Sequence, residues 1–377
     1  MKNLHSTLKE LFEWLHQHPE LGFAEYETTA KLRTILEHEG IEVLDTGLQT
    51  GLIAQITGDL PGRCVVLRCD IDALPIQEQT ELPYASTHPG RMHACGHDAH
   101  TAIMLGAALM LNQRRPELTG SVKIVFQPAE ELPAGARVVL ATGMLEDADL
   151  FLGVHVSPEL PAGTLGLKAG PVMAAVDRFA ITIHGRGAHA AQPHEGVDPI
   201  VVQAAIVQSA QTIVSRALDP FAAAVVSITH VESGSTWNVL PETAFLEGTV
   251  RTLEPAVREK AEVLMRGFTT QIAASYGAQA DFAWRPGPPA VINDPALCQA
   301  ARHVAEDMHI PTAQQENTMT GEDFSCYLEN RPGLFVRVGT GCSFPLHHPK
   351  FKVDQQILYP TAQYFAQLTE HLLNKGV

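Results

Sequence analysis

CVVLRC (64–69), TAIMLGAALML (101–111), VKIVF (122–126) and FLGVHV (151–156) decide the fold. Three are short β-rich runs, and the second has the length and composition of a buried helix. This alternation predicts an α/β architecture built on a mostly parallel sheet.

Working outward, residues 4–15 place Leu4, Leu8, Leu11, Phe12 and Leu15 on one helical face, and Thr7 with Glu10 is expected to form a capping box. Past 175 the rhythm changes to strand 178–184, helix 197–217, strand 223–231, strand 243–252, helix 254–275 and strand 279–285. That βαββαβ order is the split pattern of a small ferredoxin-like sandwich. After the breaker-rich RPGPPAV the chain returns to helix, loop, strand Leu334–Val338 and a final helix from about 355 to 373. The expected organisation is therefore one domain over 1–175 and 287–377, with 176–286 inserted into it. Gly170-Pro171 and Pro286–Pro289 are the expected hinges.

A chain of 377 residues, 45% hydrophobic and 18% charged, has room for two cores. Its net charge of −16 opposes phosphate backbones and anionic lipid, so neither nucleic acid nor membrane is an expected partner. Glu10, Glu13, His16 and Glu20 interrupt the first twenty residues, which a signal-peptide core would not tolerate, and no run of 18 apolar residues occurs. A soluble cytoplasmic protein is expected. Cys64, Cys69, Cys95, Cys298, Cys326 and Cys342 form no CxxC pair, so reduced thiols are expected.

Four segments concentrate metal-ligating side chains: Asp70 and Asp72 in DID, the octet from His93 to His100 (HACGHDAH), Glu130-Glu131, and His155 in GVHV. A fifth, His347-His348, lies near the C-terminus. The first four stand just past strand ends or before a helix, where open α/β sheets build their sites. Thiolate, imidazole and carboxylate together suit zinc-like ions, and a mixed set argues for catalysis over scaffolding. Adjacent glutamates repel unless a cation or shared proton relieves them, which is solved economically by one ligand and one base. Such a base takes a proton from water beside a metal and returns it to a leaving amine, the chemistry of amide hydrolysis. Taken singly, Glu130-Glu131 also reads as the start of a loop, His155 as a core residue at a strand end, and His347-His348 as a surface turn.

Together these segments resemble the M20 family of metallopeptidases, in its branch of aminoacylases, hippurate hydrolases, indole-acetyl-amino-acid hydrolases and N-acetyl-diaminopimelate deacetylases. The resemblance rests on HQHPELGFAEYET (16–28), RCDIDALPI (68–76), MHACGHDAHTA (92–102), FQPAEE (126–131), GVHV (153–156), GRGAHAAQPHEGVDPI (185–200), TMTGEDFSCY (318–327) and LHHPKF (346–351), and spans almost the whole chain. It implies Cys95, His97, Glu131, His155 and His347 as ligands of two divalent ions (Zn, Mn, Ni or Co), with Glu130 as general base. Asp72 matches the aspartate that orients a ligand histidine, Asp70 stands where many relatives carry a metal histidine, and Asp70 and Asp98 are expected to support the ligands from behind. His189 resembles a residue that reaches a partner subunit's site to stabilise the oxyanion, which implies a homodimer or higher oligomer. Asn238 and Arg251 match substrate contacts. The implied reaction is hydrolysis of N-acyl amino acids, and LPAGARVVL (132–140) departs from the EGPGGAKAM of many relatives.

Two other readings stand beside this one. Cys95 with a histidine and Asp98 would make a cysteine-nucleophile hydrolase. A relative that binds metal or amino acid without turnover would keep the fold alone.

Overall fold

A computed structural model describes residues 4–132 and 134–375. Two compact units are present: one comprises the chain up to Gly170 with Ile292–Glu316 and the stretch from Asp323 onward, the other Pro171–Val291 with Asn317–Glu322.

In the first unit the strands run, in spatial order, Glu42–Val43, Leu52–Thr57, Thr119–Gln127, Leu60–Asp70, Leu150–Ser157, Gly333–Gly339, Leu165–Gly166 and Thr312–Ala313. The central ones, from Thr119–Gln127 to Gly333–Gly339, are parallel to one another. Their inner residues are buried on both faces, as strands covered by helices must be. Leu52–Thr57 adds antiparallel to Thr119–Gln127 and Leu165–Gly166 antiparallel to Gly333–Gly339, so the mostly parallel sheet has antiparallel margins.

Helix Leu4–Gln17 buries Leu8, Leu11, Phe12 and Leu15 by the expected i, i+3, i+4, i+7 spacing. The expected capping box is absent: Thr7 and Glu10 lie inside this helix, and Glu10 Oε1 accepts from Ser6 Oγ at 3.2 Å. Helix His97–Gln113 is buried almost all round. Gly106 lets its neighbours approach, since a Cβ there would stand 2.7 Å from Leu8 Cδ1 and 2.8 Å from Ala362 Cβ on helix Leu358–Lys375.

The second unit carries an antiparallel sheet in the order Ala224–Ser233, Thr243–Thr252, Ala175–His184, Gln279–Pro286. Helices Pro199–Thr212 and Pro255–Ser275 place Val202, Ile206, Ala261 and Met265 in one core with Phe179, Ile181, Ile183, Leu246 and Val250 from the strands. Asp198 caps the first helix through the N–H of Ile200, and Pro199 occupies its first turn, where a missing N–H costs nothing. The expected helix to 217 ends as α-helix at Thr212 and continues as a π-helical turn over Ile213–Ala217. Among the described residues no helix is long and apolar enough to cross a membrane.

Candidate metal centre

The carboxyl ends of the central strands deliver the site. Leu60–Asp70 ends on Asp70, two residues before Asp72; Thr119–Gln127 leads into Glu130 and Glu131; Leu150–Ser157 carries His155. Gly96 then turns the chain into helix His97–Gln113 with φ of 85°, and a Cβ there would meet Val156 Cγ2 at 2.4 Å. Only glycine fits between Cys95 and His97. Ala129 (φ 52°) and His347 (φ 63°) also adopt the left-handed region, a strain that the surrounding contacts hold in place. The Ala129 N–H donates to Glu25 Oε1 at 2.8 Å and the His347 N–H to Ala94 O at 2.8 Å.

All five expected ligands in this unit converge. Cys95 Sγ lies 3.5 Å from His155 Nε2 and 3.3 Å from His347 Nε2, and His347 Nε2 lies 3.1 Å from Glu131 Oε1. Ligand atoms of Cys95, His97 and His155, of Cys95, Glu131 and His347, and of His97, Glu130 and Glu131 form groups within 4.8 Å. Cys95, His97 and His155 are buried, the two glutamates are half-buried, and His347 is exposed.

Hydrogen bonds fix which nitrogen of each buried histidine faces inward. His97 Nδ1 meets Asp72 Oδ1 at 3.2 Å and so carries the proton; its Nε2 is buried without a hydrogen-bond partner. His155 Nδ1 donates to Val156 O at 2.7 Å, which leaves its Nε2 lone pair toward Cys95. Asp72 also accepts from the Glu131 N–H through Oδ2 at 3.1 Å, tying two of the expected ligands to one carboxylate. An imidazole backed by a carboxylate, another backed by a carbonyl, a buried thiol and an orphaned ring nitrogen fit the donor set of a divalent transition-metal centre.

Electrostatics agree with that fit. Burial opposes a charge on His97, but Asp70 and Cys95 lift its pKa well above the ordinary value, so proton and metal compete for Nε2. Burial and the neighbouring His100 hold His155 well below the usual range, in the neutral form that a metal ligand requires. His93 is also buried, with neither ring nitrogen hydrogen-bonded, and burial pulls its pKa down to about 4.

Asp70 does not act as Asp72 does. Its Oδ1 faces His100 Nδ1 at 2.6 Å and its Oδ2 accepts from Arg68 Nη1 at 2.9 Å, while His97 Nε2 stands 3.8 Å away. Asp98 turns from the ligands to His16, at 2.6 Å, and the other nitrogen of His16 meets Glu78. The catalytic triad of Cys95, a histidine and Asp98 is therefore not assembled, because the histidine that Asp98 holds is committed to a second carboxylate. Cys64, Cys69, Cys298, Cys326 and Cys342 are free thiols.

Three expected residues belong to the second unit. His189 is exposed on a two-residue strand whose antiparallel partner is Val239–Leu240, and the Asn238 backbone carbonyl extends this ladder by accepting the Ala190 N–H at 3.1 Å. Arg251, half-buried in strand Thr243–Thr252, has a pKa lowered by burial. In LPAGARVVL, Pro133 lies outside the described residues; Gly135–Leu140 is a short helix whose Ala136 N–H donates to Asp323 Oδ2 at 2.8 Å.

Sequence reasoning placed His100 only within the octet, without a role, and missed Glu25, Arg68, Gln127 and Asp323. The one available signal was Arg68, a charge inside the otherwise apolar CVVLRC.

The family model described as Peptidase family M20/M25/M40 matches residues 66–371, and the chain belongs to that family. It is a hydrolase of metallo-amidohydrolase type. Among its relatives, an N-acetylcysteine deacetylase of Bacillus subtilis (strain 168) is 49% identical, over 97% of each chain. An N-acyl-L-amino acid amidohydrolase of Geobacillus stearothermophilus is 41% identical, over 72% of this chain and 75% of its own. The crystal structure of a Bacillus subtilis dinuclear metal binding peptidase from the M20 family superposes with a TM-score of 0.90 at 46% identity, covering 99% of both chains.

Proposed function

We propose that this chain hydrolyses the amide bond of small N-acyl amino acids, N-acetyl and N-benzoyl derivatives among them, to a carboxylate and a free amino acid. The observation that carries the reading is the convergence of Cys95, His97, Glu131, His155 and His347, with His97 Nε2 buried and unpartnered at its centre. The deacetylase and amidohydrolase relatives support the same substrate class.

Those five side chains are read as holding two divalent ions, of Zn, Mn, Ni or Co. When bound, such ions polarise the amide carbonyl and bring the pKa of water toward about 7. Glu130 takes the proton that water loses as its oxygen joins the carbonyl carbon, and returns a proton to the nitrogen as the C–N bond breaks. Asp72 holds the His97 tautomer, whereas Asp70 holds His100 and Asp98 holds His16, so neither backs a proposed ligand directly.

Residues 176–286 are read as a lid and dimerisation domain on a catalytic domain of 1–175 and 287–377, in a cytoplasmic homodimer. Strand Ala224–Ser233 is an edge of its sheet, and Val231, Trp237 and Val239 are exposed, a surface suited to a second copy. His189 then serves the partner subunit's oxyanion, and Asn238 with Arg251 contacts the substrate carboxylate.

Metal-reconstituted protein and a chelated control are compared on a panel of N-acetyl, N-benzoyl and longer N-acyl amino acids. Metal-dependent release of free amino acid is the expected result. Turnover that survives the chelator, or none across the panel, would overturn the reading.

A further inference from the structure

Strand pairing between Leu60–Asp70 and Leu150–Ser157 stops at Arg68 and Gly153. Past that point the N–H of Val156 is taken not by a strand carbonyl but by His100 Nε2, at 2.8 Å. A nitrogen that accepts carries no proton, so the ring's single proton is on Nδ1. Nδ1 faces Asp70 Oδ1 at 2.6 Å, and Asp70 Oδ2 accepts from Arg68 Nη1 at 2.9 Å. Arg68 Nη2 in turn donates to Asp323 Oδ1 at 2.7 Å. All of these side chains are buried, so water does not compete for any of the bonds.

The Val156 backbone is held from two directions, its N–H by His100 and its carbonyl by His155 Nδ1 at 2.7 Å. The two rings lie 4.7 Å apart, centroid to centroid. We infer that His100 is a positioning residue of the metal centre, and that Asp70, anchored by Arg68, sets the tautomer in which His100 fixes the Val156 peptide and the aim of His155 Nε2. The inference rests on the reading of His155 as a ligand.

The logic of the arrangement lies in the sign of each hydrogen bond. An ionised carboxylate only accepts, so it admits only the Nδ1–H form and leaves Nε2 able to accept the backbone N–H. An amide at position 70 both donates and accepts, so it no longer selects. The Nε2–H form would then confront the Val156 N–H donor to donor, and the strand end would shift.

The test uses the full-length protein and two readouts that need no substrate. Nitrogen-15 NMR of metal-free protein gives the His100 tautomer, and Co²⁺ titration followed by the thiolate-to-metal absorption of Cys95 gives the affinity. Wild type is expected in the Nδ1–H form. Asp70→Asn is expected to show mixed tautomers and, like His100→Leu, a Co²⁺ affinity about 10- to 100-fold lower, the usual loss when a partner behind a ligand is removed. His100→Gln keeps one donor and one acceptor and is expected to recover most of that loss, which a residue that only filled space would not produce. Thermal melts restrict the comparison to folded variants, and if Asp70→Asn does not fold, the two His100 variants decide.

An Nε2–H ring in wild type, or wild-type affinity in His100→Leu, would overturn the inference. Co²⁺ binding with the expected variant pattern but no cleavage of any N-acyl amino acid would remove the proposed function and leave this one standing. Active wild type with unaffected variants would do the reverse.

Discussion

His16 Nδ1 lies 2.6 Å from Asp98 Oδ2, and the same ring reaches Glu78 Oε1 through Nε2 at 3.1 Å, so one buried imidazolium bridges two carboxylates. Glu78 also accepts the N–H of Ser86. His16 therefore pins the long irregular segment between Asp70 and His97 to the start of the helix that carries His97.

This bridge makes stability depend on pH. Burial by itself lowers the His16 pKa, but the hydrogen bonds to Asp98 and Glu78 outweigh it and hold the ring at about 9. Burial likewise opposes charge on Asp98 and Glu78, yet His16 and their other hydrogen bonds keep both below the usual carboxylate range. The histidine contribution is complete below the unfolded value of about 6.5 and lost as pH rises through the folded one. The carboxylate contribution is complete above about pH 4 and lost on acidification. The urea midpoint of metal-free protein should fall between about pH 6.5 and 9.5. His16→Gln should show a shallower fall than wild type, because His97, whose pKa is also raised, keeps a contribution of its own, and a variant profile parallel to wild type would contradict the bridge.

Glu130→Gln removes the proposed base but leaves all five proposed ligands. Its kcat should drop by roughly 10² to 10⁴, with metal content by elemental analysis unchanged. Unaltered turnover would refute the base assignment.

If His189 serves the partner's site, single variants should complement. Homodimers of His189→Ala should lose roughly 10² to 10³ in kcat. Mixed with Glu130→Gln and allowed to exchange subunits, they should regain activity, because one site of each heterodimer has both residues intact. No gain in heterodimers shown to form by mass spectrometry would place His189 in its own subunit's site or outside any.

Arg68 is fully buried and donates to Gln127, Asp70 and Asp323 at 2.9, 2.9 and 2.7 Å. Arg68→Met leaves two carboxylates without their cation, and denaturant unfolding should show a loss of about 3–5 kcal/mol. A loss below about 1 kcal/mol would mean that the carboxylates find protons or water instead.

The parts of the molecule visible in the sequence are those with local signatures. Strand Thr243–Thr252 alternates inward Leu246 and Val250 with outward-facing positions, and CVVLRC and VKIVF are too apolar for a surface. The ligand-bearing octet announced itself by composition. Strand Leu60–Asp70 proved longer than its apolar run, because LPGR at its start is exposed and carries no hydrophobic signal. The supporting contacts were illegible for a different reason. Asp98 meets His16 across 82 positions of sequence, and Arg68 meets Asp323 across 255. No periodicity relates such pairs, and even Arg68, conspicuous as a charge within an apolar run, gives no hint of its partner. Thr7 and Glu10 show the converse error, a capping spacing that occurs inside a helix.

The unit that holds the metal centre is drawn from three stretches of chain, and the last of them supplies His347. During synthesis Cys95, His97, Glu131 and His155 leave the ribosome long before strand Gly333–Gly339, which pairs beside His155, and before His347 itself. Residues 171–291, the bulk of the second unit, emerge in the interval. His347 thus joins the other proposed ligands only after the bulk of the second unit has been made. If these side chains hold the ions, what the first four bind before His347 arrives depends on the cell's supply of metal as well as on the geometry of the site.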